Sequence, residues 1–188
     1  TRVVSEAAVP LGVNRLRITG GEPLQRRDLV DLVAMLRAVP GVEGIGLTTN
    51  AERLAPMAEA LVSAGVDKIN ISLDTLNAER FQALTRVDAL DRVLEGIRAA
   101  KSAGFKSLKL NCVPIRGVND DELPELLSFA IDSGFELRFI EFMPFGSMWS
   151  PDQVVSDHEV LERVQQVHGP VSSLPAVPGD TALRFQLD

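Results

Sequence analysis

The residues best equipped for chemistry lie at the ends of short apolar runs or inside them. The most distinctive is Thr19-Gly20-Gly21-Glu22-Pro23. Adjacent glycines let a backbone pass close to a ligand, and Pro23 stiffens the exit. Glu22 can accept hydrogen bonds from an ammonium group. The same pentapeptide also reads as a plain tight turn with a helix-capping acid. A second set is positional: Thr48, Thr49 and Asn50, then Ser72, Asp74 and Thr75, then Asn111, then Met143 and Pro144. Loop starts and helix caps account for Asp74. They do not account for Asn70, Lys109 or Asn111, which fall inside β-rich runs. A third set is three cations in such runs, Arg17, Lys109 and Arg138. A cation enclosed by a fold needs an anionic partner. A guanidinium offers phosphate a planar fork, and an ammonium offers it a point charge. For any one cation the structural alternative is pairing with Glu22, Asp74 or Glu141; three together favour an anionic ligand.

The elements that must position these residues alternate along the chain. Strands are expected over 14–19, 45–50, 68–74, 107–115 and 137–144. Helices are expected over 28–39, 54–64, 88–103 and 120–133, capped by Asp28, Asp88 and Asp120 or Asp121, with stops at Gly41, Gly65, Gly104 and Gly134. Such βα alternation implies a parallel sheet with right-handed crossovers. The strands are apolar on one face only: Leu16 and Ile18, Ile45 and Leu47, Ile69, Ile71 and Leu73, Leu108 and Leu110 alternate with polar residues. An open doubly wound sheet would bury that polar face under helices, at about 1–3 kcal/mol for each unpaired group. About nine such groups would exceed the stability of a typical domain. A barrel avoids the conflict, with the polar face lining a wet lumen. The expected architecture is therefore α/β, an incomplete parallel (β/α) barrel resembling the TIM barrel, with barrel active sites at the C-terminal ends of the strands. Strict alternation puts Arg138 and Glu141 on opposite faces; a bulge could bring both inward, or one points out at the strand end.

Residues 1–150 are expected to form this partial barrel and 151–188 an extension: a helix over 156–167 capped by Ser156 or Asp157 with Glu159 near the capping-box position, a loop over 169–179, and a strand over 181–188 without a visible partner. The 188 residues suit one domain with a full core, and the net charge of −7 gives no footprint for nucleic acid or anionic lipid. No apolar run reaches the roughly 20 residues of a membrane span, and no secretory signal is visible. One cysteine, Cys112, excludes an internal disulfide and points to a cytoplasmic setting. It falls on the apolar strand face, as a buried inert thiol does. His158 and His168 read as surface residues, and Trp149 as packing or a loop anchor.

Together the runs Leu16-Arg17-Ile18-Thr19-Gly20-Gly21-Glu22-Pro23-Leu24, Thr48-Thr49-Asn50, Ile71-Ser72-Leu73-Asp74-Thr75-Leu76, Lys109-Leu110-Asn111, Arg116-Gly117-Val118-Asn119 and Arg138-Phe139-Ile140-Glu141-Phe142-Met143-Pro144 resemble the radical S-adenosylmethionine (SAM) superfamily. Within it they resemble the GTP 3′,8-cyclase family of molybdenum cofactor (molybdopterin) biosynthesis. The resemblance implies a radical SAM core barrel truncated at both ends. It implies SAM contacts at Gly21, Glu22, Ser72 and Met143, and GTP contacts at Arg17, Thr48, Lys109 and Arg138, the cations on the triphosphate. The implied lyase reaction cleaves SAM reductively, abstracts hydrogen from the GTP ribose and joins the 3′ carbon to carbon 8 of guanine. The product is (8S)-3′,8-cyclo-7,8-dihydroguanosine 5′-triphosphate, taken onward by cyclic pyranopterin monophosphate synthase. The family holds two 4Fe–4S clusters on two cysteine triads, and neither triad is in this sequence, so no metal ligand is assigned and the chain by itself is expected to be inactive. Ala51 stands where the family often has glycine. Opened at both ends, such a core is expected to expose apolar surface and to associate as a homodimer. Other readings of the same residues are a peptide-modifying radical SAM enzyme and a non-catalytic nucleotide-binding barrel.

Overall fold

A computed structural model describes residues 2–144, 149–175 and 182–187. Its main sheet contains β1 (Arg15–Ile18), β2 (Gly44–Thr49), β3 (Lys68–Ser72), β4 (Ser107–Cys112) and β5 (Glu136–Phe139). Helices α1 (Leu29–Arg37), α2 (Ala58–Ala64), α3 (Ala78–Thr85), α4 (Leu90–Ala103) and α5 (Leu123–Ser133) lie between the strands, and α6 (Asp157–His168) follows them. The strands are all parallel and pair in the order β1-β2-β3-β4-β5. That order never reverses. With right-handed crossovers, an unreversed order places every connecting helix on the same side of the sheet. A doubly wound sheet reverses at a switch point and carries helices on both sides. The chain therefore forms an open barrel wall, as the one-sided strands require.

The covered side is the core. Ile45, Leu47, Ile69, Ile71, Leu110 and Cys112 are at most 1% exposed, and they join one cluster with Leu29 and Val33 of α1, Leu61 of α2, Val93 and Ile97 of α4, and Leu123 and Leu126 of α5. Burial of each such side chain contributes roughly 1.5–3 kcal/mol. The strands stop earlier than the sequence pattern suggests. β4 ends at Cys112, two residues before Pro114, which has no N–H to give the ladder. β5 ends at Phe139, before Glu141, so no bulge is needed to place that residue, which is exposed.

Several local expectations are corrected. Helix α3 falls in a segment assigned no element: Asn77 accepts from the Arg80 N–H at its start (2.9 Å), and Phe81 is its one buried anchor. Residues 4–11 form helical turns that were also not anticipated. Asp28 does stand at the head of α1, yet it bonds Arg26 (2.8 Å) and caps nothing. α4 and α5 start after Ala89 and Glu122, without side-chain caps. Asp120 instead accepts from Gly117 N–H and from Arg163 (2.7 Å each), and Asp121 pairs with Arg80 (2.9 Å). Charge-assisted bonds to arginine are about twice as strong as neutral ones, so the caps lose the competition. α1 stops at Arg37, ahead of Gly41, because Pro40 disfavours helix at the residue before it. The stops at Gly65, Gly104 and Gly134 and the Ser156–Glu159 capping box are present. The loop expected over 169–179 contains β6 (Val171–Ser173), which is the antiparallel partner of β7 (Phe185–Leu187); its residues 176–179 lie outside the described residues.

One close approach fixes the loop after β2. Ala51 is fully buried with φ +60°, and its carbonyl would lie 2.5 Å from a Cβ added to Gly96 of α4. Gly96→Ala must push the helix off the Thr48–Ala51 segment. It is expected to destabilise the chain by about 1–3 kcal/mol, read as a lower urea midpoint. An unchanged midpoint would show that the loop is not pinned by this contact.

Candidate functional site

The strand registers decide which polar residues share a face, because partners across a parallel ladder project the same way. Thr48, Asn70, Lys109 and Glu136 are partners across β2 to β5. Ser72, Asn111 and Arg138 form the next row toward the C-terminal ends. Arg17, Gly46, Lys68 and Ser107 form the row below. By alternation all of them lie opposite the apolar core face. Arg17, Thr48, Ser72, Lys109 and Arg138 are thus brought to one wall.

On that wall the cations are held differently. The Arg17 guanidinium lies flat over Gly46: a Cβ there would be 3.7–3.8 Å from its Cζ and both terminal nitrogens. Its Nη1 donates to Thr48 Oγ1 at 3.3 Å. Lys109 Nζ donates to both carboxylate oxygens of Glu136 (2.7 and 2.8 Å), and Arg138 donates to the same carboxylate through Nε (2.8 Å). Burial pushes the Glu136 carboxyl up, but the bonds from Lys109 and Arg138 outweigh it and hold it below the usual range. The partner is therefore Glu136, and not Glu22, Asp74 or Glu141. Its signal was present in the sequence, since it stands two residues before Arg138 on the same strand face. Beside Arg138, Asn111 Oδ1 is buried and has no hydrogen-bond partner among the described residues. A buried acceptor left unpaired costs about 1–3 kcal/mol, a cost that a donor reaching it would remove.

The mouth above the wall is shaped by buried and half-buried acceptors that tie down loops. Glu22 accepts from Leu24 N–H (2.9 Å) and Thr49 Oγ1 (2.6 Å) at one oxygen and from Asn50 N–H (2.8 Å) at the other. It fastens the glycine turn to the end of β2 and keeps one acceptor direction for a ligand. Open space faces Gly20 and Gly21 where side chains would be. Asn119, fully buried, accepts from Ile115 N–H (2.7 Å) and donates to the carbonyls of Asp74 (2.8 Å) and Val113 (3.0 Å). Glu122 takes Thr75 Oγ1 and Leu76 N–H at 2.8 Å and pairs with Arg80, a cluster that the sequence reading missed. Arg116 reaches α6 and, with Ser156, holds the Glu159 carboxyl down to about 2. A cavity of about 150 Å³ opens between Asn50, Ser72, Asp74, Thr75 and Phe81. Met143 lies past the end of β5 and is exposed.

Outside this mouth, Trp149 donates to the Phe142 carbonyl (2.9 Å) as a loop anchor. His158 is at the surface, but His168 is half-buried, its Nε2 2.8 Å from the Pro124 carbonyl. Cys112 is buried, and burial first, with the Asp74 and Glu122 carboxylates, pushes its thiol far up.

Residues 1–130 match the radical SAM superfamily. The chain belongs to that superfamily. Membership implies SAM and an iron–sulfur cluster as its general cofactors. Two curated relatives, both named GTP 3′,8-cyclase, are 46% identical: one from Ectopseudomonas mendocina over 94% of this chain and 54% of its own length, the other from Acidothermus cellulolyticus over 97% and 51%. The chain spans about half the length of the curated relatives it matches. A solved domain of a pyruvate-formate lyase-activating enzyme from Bacteroides vulgatus shares the fold with a TM-score of 0.60 at 18% identity, over 80% of this chain and 92% of that one. The open glycine turn, the remaining Glu22 acceptor and the orphaned Asn111 oxygen fit a zwitterionic cofactor such as SAM. A cluster does not fit the residues present: Cys112 is the single thiol of the sequence, and the described residues contain no group of three or more His, Cys, Asp or Glu side chains able to hold a metal. No helix among the described residues is long and apolar enough to cross a membrane.

Asp74 closes this site with a carboxyl that burial raises above its ordinary range, against one opposing bond from Val113 N–H (2.8 Å). A carboxyl raised on folding costs stability above its folded pKa and nothing below its unfolded one. Asp74→Asn, which keeps the acceptor, is expected to stabilise the chain at pH 7, with the gain vanishing by about pH 3. Urea midpoints at the two pH values check this, and a gain that grows on acidification would contradict it.

Proposed function

We propose that this chain is the SAM- and GTP-holding part of a GTP 3′,8-cyclase of molybdenum cofactor biosynthesis. The observation that carries the reading is the single polar wall on which Arg17, Thr48, Lys109 and Arg138 converge, in a chain 46% identical to proteins of that name. On this reading Lys109 and Arg138 grip the triphosphate from one side of the wall. Arg17, stacked over Gly46, reaches it from the other, and Thr48 orients Arg17 and the ligand together. Gly21, Glu22, Ser72 and Met143 seat SAM at the mouth, the glycine turn leaving room for its methionine part and Glu22 accepting its ammonium. When bound, SAM supplies the radical chemistry of the superfamily. The chain's own contribution is to hold the two ligands side by side on the polar wall.

Residues 1–150 form the barrel part of this assignment and 151–188 the extension toward a second cluster region. The proposal includes two 4Fe–4S clusters whose ligands lie outside this sequence, a cyclic pyranopterin monophosphate synthase that consumes the product, a homodimer and a cytoplasmic location.

The complete gene product, reconstituted anaerobically, is expected to convert GTP to the 3′,8-cyclised product. Lys109→Ala and Arg138→Ala should each weaken GTP binding about 10- to 100-fold, the worth of one charge-assisted contact, and leave SAM binding intact. Wild-type protein without turnover, or variants that bind GTP like wild type, would overturn the assignment.

A further inference from the structure

Lys109 and Arg138 are not loose charges: one carboxylate fastens both. Glu136 meets Lys109 Nζ with two oxygens and Arg138 Nε with one. Two features of this bridge indicate what it is for. The first is its level. Glu136 is the register partner of Lys109, whereas Arg138 is the partner of Asn111, one row nearer the C-terminal ends. The carboxylate therefore stands beside Lys109 and beneath Arg138, away from the mouth at which Ser72, Asp74 and Glu22 collect. It does not obstruct an anion arriving from there. The second feature is the atom used. Arg138 spends Nε on Glu136, and its terminal amino groups have no hydrogen bond to any other described residue. Those groups form the planar fork that matches phosphate bidentately. Lys109 likewise keeps a third ammonium donor beyond the two turned to Glu136.

We infer that Glu136 is a positioning residue, which anchors Lys109 and Arg138 from below so that their free donors face a phosphate group entering from the mouth. This rests on the triphosphate reading above and adds to it the group that organises the cations. Two long cationic side chains set diagonally on adjacent strands would otherwise repel and sample many rotamers, and fixing them beforehand removes an ordering cost from binding. The inference has a sign that charge counting alone does not give. A carboxylate close to a phosphate site opposes the anion, so its removal should tighten binding if Coulomb attraction decides. If positioning decides, removal weakens it.

The test is equilibrium dialysis of GTP and, separately, of SAM with the anaerobically prepared complete gene product, comparing wild type with Glu136→Ala and Glu136→Gln. Glu136→Ala is expected to bind GTP roughly tenfold more weakly, and Glu136→Gln less so because it keeps one acceptor, while SAM affinity stays within about twofold. GTP affinity that is unchanged or tighter in both variants overturns the positioning role. So does an equal loss for GTP and SAM, which would mean general damage. If wild type itself binds GTP no better than Lys109→Ala, the triphosphate reading fails and the inference with it. Should Glu136→Ala not fold, the isosteric Glu136→Gln decides alone, since a loss confined to GTP supports the role and no loss removes it.

Discussion

A cation half-buried against a sheet is best held by an anion, and for Lys109 and Arg138 the parallel register determines where that anion can be. Lys109 faces Glu136 because β4 and β5 pair in one alignment; a shift of one residue would turn every polar side chain of β5 into the core. The same alignment puts Arg138 one step above the carboxylate and Asn111 beside it. The polar wall is thus a product of backbone pairing, and the pairing in turn is enforced from behind by Ile69, Ile71, Leu110 and Cys112, all fully buried. The core and the site are two faces of a single constraint.

The loops above the wall obey a related rule. Each turns back on itself, so each leaves backbone N–H groups that neither the sheet nor the helices satisfy. Buried or half-buried acceptors take them: Glu22 for Leu24 and Asn50, Asp74 for Val113, Asn119 for Ile115, Glu122 for Leu76. Loops tied down in this way would, on the proposed reading, preorganise a ligand seat, which radical chemistry requires because a reactive intermediate must meet its intended partner and little else.

Much of this was legible before any coordinates, for physical reasons. One-faced alternation in four runs is incompatible with helices on both sides of a sheet, so the barrel wall followed from polarity alone. The period of two put Arg17, Thr48 and Lys109 on the polar face, where the strand registers also put them, whereas the face of Arg138 stayed open until β5 was seen to end before Glu141. What escaped the sequence was competition. Asp28, Asp88, Asp120 and Asp121 look like caps, but arginines outbid the helix ends for three of them, and α4 starts two residues past Asp88, with Ala89 at the cap position. Glu136 lay in plain view, yet strand pairing was needed to set it opposite Lys109. Helix α3 was hidden because it has one buried residue, Phe81, and therefore hardly any apolar period. Ala51 was noted only for replacing a glycine; its φ of +60° explains why glycine suits that place.

The most direct test of the account is a crystal structure of the complete gene product with GTP bound. The account predicts phosphate oxygens within about 3 Å of Lys109 Nζ and of the Arg138 terminal amino groups, with Glu136 still bonded to Arg138 Nε. A nucleotide bound away from the polar wall, with both cations closed onto Glu136, would contradict it.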